Sequence, residues 1–180
     1  MKLFLSALLI AALSDAPSTD CSFKTSTFLV EHARTGKQIA WGLMQRRSLP
    51  KNQGMLFHYP YCQKVNFWSF NCHIDLSIAF VDENKIVREI KSLKAFPQKM
   101  DSSRPVFSPQ DFNLYPMSDP IVIFFQEKSV KSSMPIKYVL EMNLGWFEQN
   151  QVHVGDTLHW DESNNSAFFT HEATKHNFLN

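Results

Sequence analysis

Glycine and cysteine are both scarce in this chain, with five Gly and three Cys among 180 residues. That composition excludes a collagenous chain, a Gly/Ser linker and a small scaffold stapled by disulfides. An excess of charge of one sign is missing as well. Eighteen Lys and Arg stand against 17 Asp and Glu, so no basic field collects phosphates or anionic lipid, which argues against nucleic acid as a partner. No apolar run reaches the roughly 20 residues that a bilayer-crossing helix needs. The sequence also lacks HExxH, GxSxG, a Walker loop and a dinucleotide fingerprint, so motifs assign no catalytic residue, no metal and no cofactor. What it has is 44% apolar residues and 16 Phe, enough to bury one packed core.

The apolar residues begin at once. Met1-Lys2 precedes Leu3 to Leu13, apolar except for Ser6, and the small and polar Ser14-Asp15-Ala16-Pro17 follows. This pattern reads as a secretory signal peptide over residues 1–16, with cleavage after Ala16 or, because Pro17 disfavours that bond, after Ser14. A buried helix of the fold would show a polar face, and this run has none. The expectation is therefore export to the periplasm or medium, with no stable transmembrane segment once the leader is removed. The residues before Cys21 lack a lipoprotein box. In an oxidising compartment Cys62 and Cys72, ten positions apart, can be bridged or can remain buried inert thiols.

Beyond a polar lead-in at 17–27, alternation at Phe28, Val30 and His32 predicts a strand. Thr35 with Gln38 forms a capping box for a helix whose inner face would carry Ile39, Leu43 and Arg47. Gly54 to Phe57 and Val65 to Trp68 read as two short strands, with the turn His58 to Gln63 around Pro60 between them. Ile74, Leu76, Ile78 and Phe80 give the clearest strand period. Asp82-Glu83-Asn84 then turns the chain into a return strand, whose Lys85, Arg88, Lys91 and Lys94 suit a solvated sheet edge. Five prolines between Pro97 and Pro120 predict a long ordered loop. Ile121 to Phe125 reads as a buried strand and Lys137 to Met142 as another. Asn143 is placed to cap a short helix through Trp146 and Phe147, and Gly155-Asp156 marks a bulge or bend. Residues 161–180 read as a polar tail.

Several blocks stand together in order: Gly42-Leu43-Met44 with Arg46, Leu49-Pro50, Gly54 to Phe57, Phe67-Trp68, Asn71, Ile74, Leu76 to Phe80, Tyr138 to Glu141, Gly145-Trp146 and Val154-Gly155-Asp156. Over residues 28–160 they resemble the family catalogued as domain of unknown function 192. The resemblance implies an α+β fold: one compact, β-dominated domain with an antiparallel, barrel-like sheet and one or two short helices. It supplies no activity. The chain departs from the family pattern where Phe70 replaces a Lys, Trp41 replaces an Arg, and Ser77 stands for an expected Asp, with Asp75 two residues earlier.

Trp68, Asn71, His73 and Asp75 are the candidate ligand-binding residues, forming a polar cluster beside an aromatic run. Cys72 and His73 cannot act together on a regular strand, because adjacent side chains point to opposite faces. His73 and Asp75 with His58 are too loosely spaced to define a metal site. Two readings follow. The first is an exported, non-catalytic binding or structural module, its cleft between the Asn71 to Asp75 segment and the Pro97 to Pro120 loop, taking a small molecule, glycan or protein of the cell envelope. The alternative is a small exported hydrolase-like enzyme using Asp75 with His73 or His58.

Overall fold

A computed structural model describes residues 23–25 and 27–171; the leader, Cys21 and the end of the chain past residue 171 lie outside the described residues. In chain order the elements are β1 (Phe23–Lys24), β2 (Phe28–Ala33), α1 (Gly36–Trp41), β3 (Gln53–Gln63), β4 (Asn66–Phe67), β5 (Leu76–Val81), β6 (Val87–Leu93), α2 (Pro120–Glu127), β7 (Val130–Lys131), β8 (Ile136–Asn143), α3 (Trp146–Gln149), β9 (Thr157–Asp161) and β10 (Ser166–His171). The main sheet runs β1-β10-β2-β3-β8-β5-β6, with β9 on β10; β4 and β7 form a separate ribbon. Pairing is antiparallel except between β2 and β3, which the α1 connection makes parallel. The sheet curls until its ends meet: Ile86 bridges Thr157, the Val87 N–H donates to Asp156 O at 2.8 Å, and the Leu158 N–H donates to Lys85 O at 2.8 Å. This is the β-dominated, barrel-like α+β domain expected.

The curl has two buried faces, and the alternation of each strand sorts residues between them. Phe28, Val30, Leu56, Ala79, Leu140, Leu158 and Phe169 fill the interior, which α3 closes with Trp146 and Phe147. Met55, Phe57, Ile78, Phe80 and Val139 point outward. They are covered by α1, α2 and the proline-rich loop, whose own core gathers Phe70, Tyr115, Val122 and Phe125. Hence β5 is buried along its whole length, with the covering layer in place of water on its outer face. No helix among the described residues is long and apolar enough to cross a membrane.

Several local expectations change. The Thr35 capping box is present, but α1 ends after two turns at Gly42, whose φ of 51° stops the helix, so Leu43 and Arg47 lie beyond it. A single strand, β3, replaces the first short strand and the turn after it; its pairing with β8 is irregular between His58 and Gln63, where the missing N–H of Pro60 costs no ladder bond. Ile121 to Phe125 is helical, because Asp119 accepts the Ile121 N–H at 2.8 Å and Pro120 occupies the first turn, a start signal that outweighs β-branched content. Gly145 rather than Asn143 precedes α3, and the Asn143 amide instead donates to the carbonyls of Leu49 and Pro50. Ser166 to His171, read as part of a polar tail, forms a strand that pairs with β1, β2 and β9. Cys62 is exposed and Cys72 buried, and among the described residues neither is in a disulfide.

Candidate functional site

The covering layer does not close completely over the sheet. Between α1, the segment after β4 and the proline-rich loop it leaves a cleft of about 700 Å³. Its walls are mainly aromatic. Trp68 stacks on Phe70 with centroids 5.2 Å apart, and Phe70 meets the edge of Tyr115 at 5.1 Å. Trp41 leans on Phe112 at 6.1 Å. The floor is the outer face of β3 and β8, where Phe57, Tyr59 and Glu141 look up into the space.

A small polar knot holds these walls in place. Asn71 adopts a φ of 56° and Gln45 a φ of 65°, left-handed conformations that suit tight turns and that Asn tolerates well. The buried Asn71 amide donates to Val106 O at 2.9 Å while its carbonyl accepts from Gln45 Nε2 at 2.9 Å, and the same nitrogen reaches Val106 O at 2.8 Å. Three segments distant in sequence are thereby joined. The loop is pinned further along by Arg104, which donates to Asp101 and Asp119, and by the Tyr115 hydroxyl, which donates to Arg104 O at 2.8 Å.

Glu141 is the electrostatic centre of the cleft. It sits in the middle of β8, flanked across the ladder by Met55 and Ile78, and is 4% exposed. Burial alone pushes its carboxyl up to about 8, with no hydrogen bond or ion pair from the described residues acting against it. Among the described residues no Lys, Arg or His lines the space. Burial, then the nearby Glu141, also raises the Tyr59 hydroxyl and the Cys72 thiol, which works against thiolate formation at Cys72.

The residues singled out in the sequence divide accordingly. Trp68 lines the cleft. Asn71 supports it from beneath. The stretch from Trp68 to Asp75 is a turn and extended linker rather than a regular strand, so face-sharing arguments do not hold there. Asp75 is exposed and accepts the Ala95 N–H at 2.7 Å, while His73 is partly buried with its Nε2 lacking a partner among the described residues. His58 lies elsewhere, 2.8 Å from His32 and against Tyr138 and Trp160, and burial, followed by Arg34, lowers it to about 4. None of Asp75, His73 and His58 lines the cleft. Glu141, which does, stood within a resemblance block but not among the candidates; the signal for it was an acid inside the apolar run Tyr138 to Met142. Phe70 and Trp41 are both on the cleft wall.

Residues 19–115, just over half of the chain, match the family model described as Uncharacterized ACR, domain of unknown function 192. The match ends before β8 and therefore before Glu141. No curated protein matches. Among solved structures, a protein of unknown function from Novosphingobium aromaticivorans DSM 12444 is similar at 27% identity and a TM-score of 0.55, covering 74% of this chain and 75% of that one. A putative transcription regulator from Sinorhizobium meliloti 1021 is similar at 23% identity and a TM-score of 0.53, covering 76% of this chain and 91% of that one; at that identity the likeness speaks for the fold alone.

Proposed function

The chain belongs to the family described as Uncharacterized ACR, domain of unknown function 192, and within it we propose that this member is an exported, non-catalytic binding module whose cleft takes a ligand with an apolar body and a cationic amine. One observation carries the reading: an aromatic-walled space of about 700 Å³ has a buried carboxyl on its floor, and among the described residues no cation lines it to pair with that carboxyl. Pockets of this size suit small molecules, with apolar walls supplying affinity and a few polar groups fixing orientation. Aromatic faces attract cations, and a buried carboxylate gains most from a partner that brings its own positive charge. Trp41 and Phe70 add their ring surfaces to these walls, so that the positive charge is left for the ligand to bring.

The test uses 2-phenylethylamine, 2-phenylethanol and phenylacetate as probes in thermal-shift and calorimetric titrations of the mature chain. The amine should stabilise the protein by about 5–10 °C at a hundredfold excess over its Kd, the alcohol less, and phenylacetate not at all. Because the carboxyl must ionise to pair with the amine, affinity should rise from pH 6.5 to pH 8.5. The reading fails if phenylacetate binds as well as the amine, or if Glu141→Gln leaves amine binding unchanged. Export is supported by the short apolar leader and is tested separately, by mass spectrometry of the secreted or periplasmic chain. The expected first residue is Pro17 or Asp15; a mature chain that still begins at Met1 removes this part of the proposal.

A further inference from the structure

The turn between α3 and β9 brings together a second group of ionisable side chains, none of which lines the cleft. His153 and Asp156 come from the turn itself, and His171 is the last residue of β10. One ligand atom from each lies within 4.8 Å of the other two. Asp156 is buried at 6% exposure, and its two oxygens are already aimed: one accepts the His153 backbone N–H at 2.6 Å, and the other lies 2.8 Å from His171 Nδ1. The rings of His153 and His171 stand with centroids 6.1 Å apart.

The backbone beneath this group is fixed from several directions. Gly155 takes a φ of 103° and donates its N–H to Val87 O at 2.9 Å, while Val87 returns a bond to Asp156 O at 2.8 Å. His171 is held by its register opposite Phe23. Two imidazoles and one carboxylate on rigid elements form a donor set for borderline divalent ions; magnesium and calcium prefer oxygen alone. His153 is exposed, so an ion has a way in and a coordination position left for water.

We propose that His153, Asp156 and His171 bind a divalent transition-metal ion of the zinc class, held between the facing His171 Nδ1 and Asp156 carboxylate oxygen with His153 as the third ligand. The ion ties the α3–β9 turn to the end of β10, one residue beyond the Thr157–Thr170 pair of the β9–β10 hairpin. It is a site with three protein ligands and one open position, independent of the cleft.

The full mature chain, free of any affinity tag and stripped with chelator, is titrated with zinc chloride by calorimetry and with cobalt(II) by visible absorption. One equivalent should bind, raise the melting temperature by several degrees and give cobalt the intense visible bands of a four-coordinate N/O site. His153→Ala, whose ring is exposed and bears none of the fold, and His171→Ala should each weaken zinc at least about tenfold, with the far-ultraviolet circular dichroism of His153→Ala unchanged. Magnesium chloride should have no effect. Failure of the unmodified chain to bind zinc stoichiometrically overturns the proposal, as does unaltered affinity in His153→Ala.

Discussion

Replacing Gly54 by alanine is expected to destabilise the protein by about 3 kcal/mol or more, at or above the upper end of the usual cost of overpacking a core. The cause is proximity rather than backbone freedom. A Cβ built at this position would lie 2.2 Å from Met142 Sδ and 2.4 Å from the carbonyl oxygen of Glu141. Met142 is fully buried and has little room to withdraw; the carbonyl belongs to β8 and cannot move unless β3 and β8 part. These two strands are the middle of the sheet, and their separation would open both the interior and the cleft floor. With roughly 2–4 °C of melting temperature per kcal/mol for a chain of this size, the shift should be about 6–12 °C in a thermal melt. Gly36→Ala provides the control: nothing lies within 4 Å of its added Cβ and its φ is ordinary, so it should be neutral or slightly stabilising. Equal loss in the two variants would show that the close approach at Gly54 is not what limits stability.

Gly54 also illustrates what a linear reading can recover. Its block was recognisable from local pattern, as were the alternation of β2 and β5, the hairpin through Asp82 to Asn84 and the Thr35–Gln38 cap, because each rests on contacts within a few residues. The reason for Gly54 lies on β8, nearly ninety positions away, and is invisible locally. Ser166 to His171 failed for the same cause. Only Ala167 and Phe169 of that stretch are buried, too few to mark a strand until β2, β9 and β1 are laid beside it. Helix α2 was misread because its apolar run was weighed without the Asp119-Pro120 start that precedes it. Trp68 and the proline-rich loop do line the cleft, but the wall read over Asn71 to Asp75 does not: Asn71 supports the cleft from beneath, and His73 and Asp75 lie outside it. Its acid was not legible, since alternation in a strand suggests that a polar residue faces water, whereas β8 is covered on both sides. The His153, Asp156 and His171 group needed the β9–β10 hairpin to bring its ends together.

That covered acid carries the second large effect. In the unfolded chain Glu141 ionises near 4.5, whereas burial holds it protonated in the fold to about 8. Between those values the folded state keeps a proton that the unfolded state has lost, so the contribution of Glu141 to stability is complete below pH 4.5 and disappears as pH rises through 8. The loss is on the order of 4–5 kcal/mol across the window. Other groups titrate in the same range. His58, held neutral by burial, acts in the opposite sense and costs stability as pH falls below 6.5. The diagnostic quantity is therefore the difference between the unmodified protein and Glu141→Gln, measured by urea unfolding at pH 5 and at pH 9. At pH 5 both carry a neutral side chain of the same shape and should agree within about 1 kcal/mol. At pH 9 the variant should be the more stable by several kcal/mol, because it has no charge to leave buried without a partner. Parallel curves would mean that Glu141 ionises freely at the cleft floor, and would remove with it the reason for a cationic ligand. A saturating amine should have the reverse effect on the unmodified protein, restoring at pH 9 much of what the solitary carboxylate costs and doing nothing for Glu141→Gln.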